Sequence, residues 1–419
     1  MTTDEGRERP PSSAVVVGAG IVGLSCAFSL QEHGVEVTLV DRKQPGAGAS
    51  WQNAGLVSPA MSVPLPEPSI LRYGIRAVLS PRSPVALVRS ADPRLAQFMA
   101  ALVRSCTTKA WRRSMTVYRV LNAMAADAYA HQQAGGVEME LYRGDVVACF
   151  AHPHESAGFL LEMESVVAAG QPVELTLLTA DEVRGIEPHI SDTVELGVRV
   201  RDQQYLTPSH YVAALAKSVR DRGGKIVEDM PISSVERRHG VLVAHGLQGE
   251  LEADAVVVAT GAWAGDLLAG HGVRVPVYGG RGYSFTVASP TPFAGPLYFP
   301  AARVAATPQA DRVRFAGIME FGSPDAVPQG ARFGHMVQAV RHLLVDVDWT
   351  TMADQWMGPR PLSADGVPLV GATATPGLYV AGGHGMWGVT LGPLTGTLLA
   401  RQITTGVTPP ALLPLDPLR

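Results

Sequence analysis

The 419-residue sequence predicts a two-domain α/β protein organised around a dinucleotide-gripping βαβ unit. Three observations carry that prediction. A G-x-G-x-x-G run, Gly18-Ala19-Gly20-Ile21-Val22-Gly23, stands between two apolar stretches that read as strands. A near-continuous apolar run, Ala255 to Ala259, has the character of a buried parallel strand far down the chain. From Val275 to Trp349 the pattern changes to short strands with many Gly and Pro turns, as in an antiparallel layer.

The first unit runs from the Val15–Val17 strand through the glycines into a helix, Leu24 to His33, and then a second strand, Val35 to Val40. Gly18 allows the tight turn, Gly20 lets the backbone approach a pyrophosphate, and Gly23 lets the helix pack closely on the sheet. Free N–H groups at the helix start, with the helix dipole behind them, hold phosphates. Asp41, 23 positions after Gly18, stands where an acid accepts hydrogen bonds from ribose hydroxyls. The motif leaves NAD and FAD equally open. Glycines serving only a tight strand–helix turn are the plainer alternative.

Composition narrows the class. Hydrophobic residues at 46% and charged residues at 17% fit a globular protein and exclude a disordered one. A net charge of −4 gives no case for nucleic acid. Three widely spaced cysteines form neither a disulfide framework nor a zinc spacing, which points to a reducing cytoplasm. No apolar run reaches the ~18 residues of a spanning helix. The polar segment 1–13 lacks a signal-peptide core and reads as a disordered tail. His152 and His154 sit in a proline-bearing loop without enough partners for a metal, so no metal site is expected.

Further along, Gln44 to Ser50 and the following Asn53-Ala54-Gly55-Leu56 are rich in small residues suited to lying flat on a ligand. Residues 67–113 hold nine cations against two acids. That balance suits either a surface docking on anionic lipid or an electron-accepting partner, or simply solvated helix faces. Leu121 to Gln133 reads as an amphipathic helix stopped by Gly135-Gly136. Strands are expected at Val137 to Phe150 and Gly197 to Val200, with a short helix from Thr179 to Ile186. Thr207-Pro208 opens a helix to Arg222, followed by a strand, Lys225 to Glu228. The Ala255–Ala259 strand ends in Thr260-Gly261-Ala262-Trp263, a glycine end suited to approaching a ligand at the carboxyl edge of the sheet. Helices are expected at Gly334 to Val345 and at Gly392 to Thr405, the latter just after Trp387-Gly388-Val389-Thr390.

The glycine fingerprint, the Ser50 to Gly55 loop, Val258 to Trp263, Gly280-Arg281-Gly282-Tyr283-Ser284, Gly358-Pro359-Arg360-Pro361 through Gly366, and Gly382-Gly383-His384-Gly385 follow one another in a fixed order. Together they resemble the FAD-dependent D-amino-acid oxidase/glycine oxidase superfamily, with the nearest likeness to its small-subunit-type D-amino-acid dehydrogenases. The likeness spans about residues 14 to 405. It implies a glutathione-reductase-type FAD domain made of segments 14–60, 201–270 and 355–419. It also implies a substrate domain with a large mixed, mainly antiparallel sheet from segments 61–200 and 271–354. By position, the resemblance places Asp41 and Arg42 at the adenosine, and Ser50, Asn53, Ala54, Gly55 and Leu56 at the pyrophosphate and isoalloxazine. Ile232 meets adenine, and Thr260, Gly261 and Trp263 meet the pyrophosphate region. Gly383, Gly385, Trp387, Gly388, Val389 and Thr390 bring backbone N–H groups to the flavin pyrimidine edge.

The chemistry the resemblance implies is oxidative deamination, with hydride passing from Cα to flavin N5 and the imine hydrolysing to keto acid and ammonia. Arg360 is the candidate for clamping the substrate carboxylate through two parallel hydrogen bonds. Tyr283 is a candidate second donor, and His384 contacts flavin or substrate or positions backbone. D-Amino acids, including cyclic imino acids such as D-proline, are the expected substrates. Glycine- or sarcosine-type amines, 2-hydroxy acids, and a non-catalytic flavin-binding subunit are the alternatives. Lysine is absent after Lys225 and cysteine after Cys149. The first omits the lysine by which some sarcosine oxidases activate oxygen, and the second excludes a C-terminal cysteinyl–flavin bond. Both point to non-covalent FAD and a quinone or other carrier as electron acceptor, in a cytoplasmic protein or one peripheral to the inner face of the membrane.

Overall fold

The structure, a computed structural model, describes residues 10–68, 85–87 and 92–419. Its nucleotide sheet has six strands in the order Lys225–Val227, Glu36–Val40, Ser13–Val17, Ala255–Val258, Leu378–Gly382 and Leu369–Ala372. The first five are parallel and the last antiparallel. Val15, Val16 and Val17 pair with Val256, Val257 and Val258, and all six are buried. That explains why these runs show no polar alternation: both sheet faces are covered. Ser12, within the segment 1–13 expected to be a disordered tail, is tied to the fold: it donates from its backbone and hydroxyl to Asp254 at 2.8 and 2.7 Å.

On one face lie the helices Ile21–Glu32 and Gly388–Thr405, crossing at small residues. A Cβ on Gly396 would stand 2.4 Å from the Ser25 carbonyl oxygen, so only glycine permits this approach. The last helix starts at Gly388, one turn before the expected Gly392, and Gly388, Val389 and Thr390 form its first turn.

The second sheet has nine strands, with the path Ala353–Ser363, Val277–Ala288, Arg312–Phe321, Val304–Gln309, Leu297–Phe299, Val146–Phe150, Leu196–Val200 and Leu175–Thr179, and Val85–Leu87 beside Arg312–Phe321. Pairing is antiparallel except at Leu297–Phe299 with Val146–Phe150 and at Val85–Leu87. The Ala353–Ser363 strand therefore belongs to this sheet, although most of it falls inside the segment 355–419 expected in the FAD domain. Two more expectations shift. The amphipathic helix begins at Thr108, capped by the Thr107 hydroxyl, and runs to Ala134. Its Tyr129 and Gln132 bond to Val389 and Ser25 of the two nucleotide-domain helices, so it packs on that domain. The helix expected over Gly334–Val345 spans Gly330–Val340. A three-stranded meander, Ile232–Arg238, Val241–Gly246 and Gly249–Ala253, leads back into the parallel sheet.

Candidate active site

All five parallel strands end at one edge, and the loops leaving them surround a trough of about 450 Å³. Gly18, Gly20, Ile21, Val22, Asp41, Arg42, Ser50, Asn53, Ile232, Thr260, Gly261, Trp263, His384, Gly385, Gly388 and Val389 line it. Gly18 has φ +110°, and a Cβ there would lie 2.5 Å from the Ala259 oxygen. Asp41 accepts from the Ala19 N–H at 2.7 Å and the Lys43 N–H at 2.9 Å, so it holds the glycine loop in shape. Burial pushes the Asp41 carboxyl up from its ordinary range, and these backbone donors oppose the shift. Arg42 stacks on the Trp263 ring at 3.8 Å at the trough wall.

A second, larger cavity of about 670 Å³ lies against the second sheet and is also lined by residues of the Pro93–Ser105 and Ser156–Ala168 helices. Ala54, Gly55, Leu56, Tyr283 and Trp387 line this chamber rather than the trough. Ala49, Asn53, Arg360, Met386 and Val389 line both, so the cavities meet at Arg360 and the start of the last helix. Three expected contacts line neither cavity. Gly23 packs under the glycine loop, where a Cβ would stand 1.9 Å from the Gly18 oxygen. Gly383 lies against Leu369, and the Thr390 hydroxyl accepts from the Ser58 N–H at 3.3 Å.

Arg360 donates through Nη1 to the Ile318 carbonyl at 2.7 Å and lies over Gly282, where a Cβ would be 2.3 Å from its Cζ. Burial pulls its pKa down to about 10, and no carboxylate among the described residues pairs with it. A desolvated cation without a counter-charge favours an anionic ligand. Tyr283 is differently committed: its hydroxyl donates to Glu320 Oε1 at 3.1 Å. Glu320 is fully buried and also accepts from Arg281 and, at 2.9 Å, from Arg332 Nε. The single phenolic proton is thus spent on Glu320, and burial followed by the Glu320 charge raises the phenol's pKa. His384 is buried, with Nε2 2.9 Å from the Thr395 hydroxyl. That hydroxyl gives its own proton to the Leu391 carbonyl, so the imidazole is the donor, fixed as the Nε2–H tautomer. Burial holds its pKa near 4, so the ring is neutral.

Sequence reasoning missed the Arg281–Glu320–Arg332 cluster behind Tyr283, and also Glu162, which lines the chamber from the Ser156–Ala168 helix. A signal for the first existed: Arg281 and Tyr283 alternate in one strand and so share a face. Among the described residues, no group of three or more His, Cys, Asp or Glu side chains is placed to hold a metal, and no helix is long and apolar enough to cross a membrane.

Residues 13–402 match the profile of the DAO family, described as FAD-dependent oxidoreductases. The chain belongs to this family. Its cofactor is accordingly FAD, and its chemistry is redox. D-Amino acid dehydrogenase of Rhizorhabdus wittichii is 29% identical over 398 residues, covering 92% of this chain and 94% of that protein. The D-amino acid dehydrogenase of a Methylobacterium species is also 29% identical, over 417 residues, with 93% and 94% covered. Among solved structures, glycine oxidase from Geobacillus kaustophilus superposes with a TM-score of 0.74 at 22% identity, covering 98% of this chain and 99% of that one. L-Proline dehydrogenase from P. horikoshii gives 0.69 at 17%, with 98% of each chain covered. These last two establish the shared fold.

The trough fits the cofactor on its own geometry. The Thr260 hydroxyl is buried there without a hydrogen-bond partner. Neither the Ile21–Glu32 helix nor the Gly388–Thr405 helix has a side-chain cap from its own N-cap residue, and both starts face the cavities. At the first, the Ile21 N–H donates to the Ser50 hydroxyl at 3.0 Å, which puts a second polar group at that helix start.

Proposed function

We propose that this chain is an FAD-dependent D-amino-acid dehydrogenase, releasing the oxidised product as a keto acid and ammonia. The observation that carries the reading is Arg360, a desolvated cation at the junction of trough and chamber with no acidic partner among the described residues. FAD, when bound, supplies the acceptor for the two electrons. The chain's own residues do the rest. Asp41 accepts from the ribose, and the start of the Ile21–Glu32 helix, with Ser50 and Thr260, holds the pyrophosphate. The N–H groups at Gly388 and Val389 face the junction, where a helix start stabilises developing negative charge. Arg360 clamps the substrate carboxylate, turning Cα toward the junction. Apolar walls such as Val63, Leu102 and Ile318 exclude water and favour the uncharged amine that must be oxidised. Tyr283 lines the chamber and commits its hydroxyl to the Arg281–Glu320–Arg332 cluster behind it, which fixes the ring in place. His384, neutral and tied to Thr395, sets the loop before the last helix.

Electrons leave to a quinone or other carrier. The exposed cations Arg104, Lys109, Arg112 and Arg113 support contact with an acidic partner or anionic lipid surface. Arg94 of the same stretch is paired with Asp266 at 2.7 Å, and Arg72, Arg76, Arg82 and Arg89 lie outside the described residues.

The deciding experiment is anaerobic flavin reduction by D- and L-amino acids, N-methyl amino acids and 2-hydroxy acids, with wild type and Arg360→Leu. Wild type is expected to bleach with D-amino acids. Arg360→Leu is expected to keep its flavin and lose about 10²- to 10³-fold in reduction efficiency, the scale of removing one partner of a desolvated charge pair. Unchanged kinetics in the variant would remove Arg360 from the substrate site.

A further inference from the structure

The chamber has a second charged end. Its floor crosses the sheet through small residues, Gly282, Gly317 and Ala305 on three successive strands. Arg360 already reaches over Gly282 to the Ile318 carbonyl. Adjacent strands lie about 4.8 Å apart, so the strand beginning at Val304 is one spacing beyond Ile318 and the Leu297–Phe299 strand two, roughly 10 Å. At that far end Glu162 lines the chamber with Phe159 and Met163 of its own helix, Tyr298, and Arg303. Among the described residues, none makes a hydrogen bond or ion pair to the Glu162 carboxylate. The Arg303 charge favours its ionised form, and the Glu67 charge opposes it. Burial and the Glu67 charge together raise the Glu162 pKa to about 7. A carboxylate so placed is costly unless it is protonated or meets a cation.

We propose that Glu162 is a specificity-determining residue that selects amino acids whose side chain is an apolar stem ending in a cation, as in lysine or arginine. This rests on the deamination reading above, with Arg360 at the carboxylate. The methylene stem then lies along the apolar wall, and the head reaches Glu162, as long cationic side chains do when they bury their stems. An acidic or purely apolar side chain leaves that carboxylate uncompensated.

The test separates binding from turnover. 6-Aminohexanoate keeps the carboxylate and terminal ammonium of lysine but has no α-amine to oxidise, and hexanoate lacks the ammonium too. Calorimetric titration of the holoenzyme at pH 8 is expected to show 6-aminohexanoate binding roughly 10- to 100-fold tighter than hexanoate. Glu162→Gln should collapse that ratio toward one, with Glu162→Asp restoring part of it, flavin content and melting temperature serving as folding checks. Anaerobic flavin reduction should show the same loss in the ratio of D-lysine to D-norleucine. Equal binding of the two hexanoates by wild type, a preference for D-glutamate, or an unchanged ratio in Glu162→Gln would overturn the assignment. Reduction by D-norleucine and D-lysine alike sinks the specificity and leaves deamination standing. Tight binding of 6-aminohexanoate with no reduction by any amino acid sinks the deamination reading instead, and with it the substrate class.

Discussion

His384 and Arg360 stand near each other at the site, and burial acts on both, yet the outcomes differ. Desolvation takes the imidazole from an ordinary value of 6.5 to about 4 and leaves it neutral at physiological pH. The guanidinium falls only to about 10 and stays charged. Only Arg360 is therefore equipped to bind a carboxylate, and the histidine within the glycine run is a hydrogen-bond post for Thr395. The depressed histidine has a stability consequence. Between pH 6.5 and 4 the unfolded chain takes up a proton that the native chain refuses, so this residue's contribution falls as pH falls through that window. The full effect is about 3 kcal/mol. His384→Gln, which keeps a side-chain donor for Thr395, should gain melting temperature relative to wild type as pH drops from 7 to 4.5. A constant difference across that range would mean the ring is not held neutral.

At the scale of elements, the sequence was most legible where periodicity and punctuation agreed. The βαβ unit, the Ala255–Val258 strand and the Thr207-Pro208 helix start needed only apolar runs, glycines and a proline. Even there Thr207 makes no capping bond with its side chain. Illegible were features made by contacts between distant residues. The Gly396–Ser25 crossing, the pairing of Ala353–Ser363 with Val277–Ala288, and the meeting of Glu162 with Arg360 across one chamber leave no local trace. The helices Pro93–Ser105 and Thr108–Ala134 fall between: their cations were visible, but which face they occupy was not. Trp111, Met115 and Tyr118 are buried, whereas Arg112 and Arg113 are exposed beside them. If that face meets anionic lipid, each cation contributes about 1 kcal/mol at low salt. An Arg112→Glu, Arg113→Glu variant should then lose co-sedimentation with phosphatidylserine vesicles at low ionic strength. Equal co-sedimentation of variant and wild type would mark these arginines as ordinary solvated residues.

Across the whole molecule, the two layers are joined over the cofactor trough by a contact between residues 283 positions apart. Arg42 leaves the second parallel strand, and Asp325 follows the Arg312–Phe321 strand of the other sheet; they pair at 3.0 Å. Trp263 closes the triangle, its indole N–H donating to both Asp325 oxygens at 3.1 Å while Arg42 stacks on its ring. Two of the three residues line the trough, so the clasp that joins the sheets also forms part of the trough wall. The members are partly exposed, with Arg42 at 36% and Asp325 at 59%, so each polar link is weak alone. With the stacking, the clasp contributes about 1–2 kcal/mol, enough to slow FAD loss roughly 5- to 30-fold. Asp325→Ala should accordingly release FAD faster, followed by the recovery of free-flavin fluorescence on dilution, and 0.5 M salt should narrow the gap by screening the wild-type pair, on the order of a 4 Å Debye length. Asp325→Asn keeps an acceptor for the Trp263 indole and removes the charge, so its release rate should fall between the two. Identical release from all three would show that the adenosine end is held by Asp41 and the glycine loop alone.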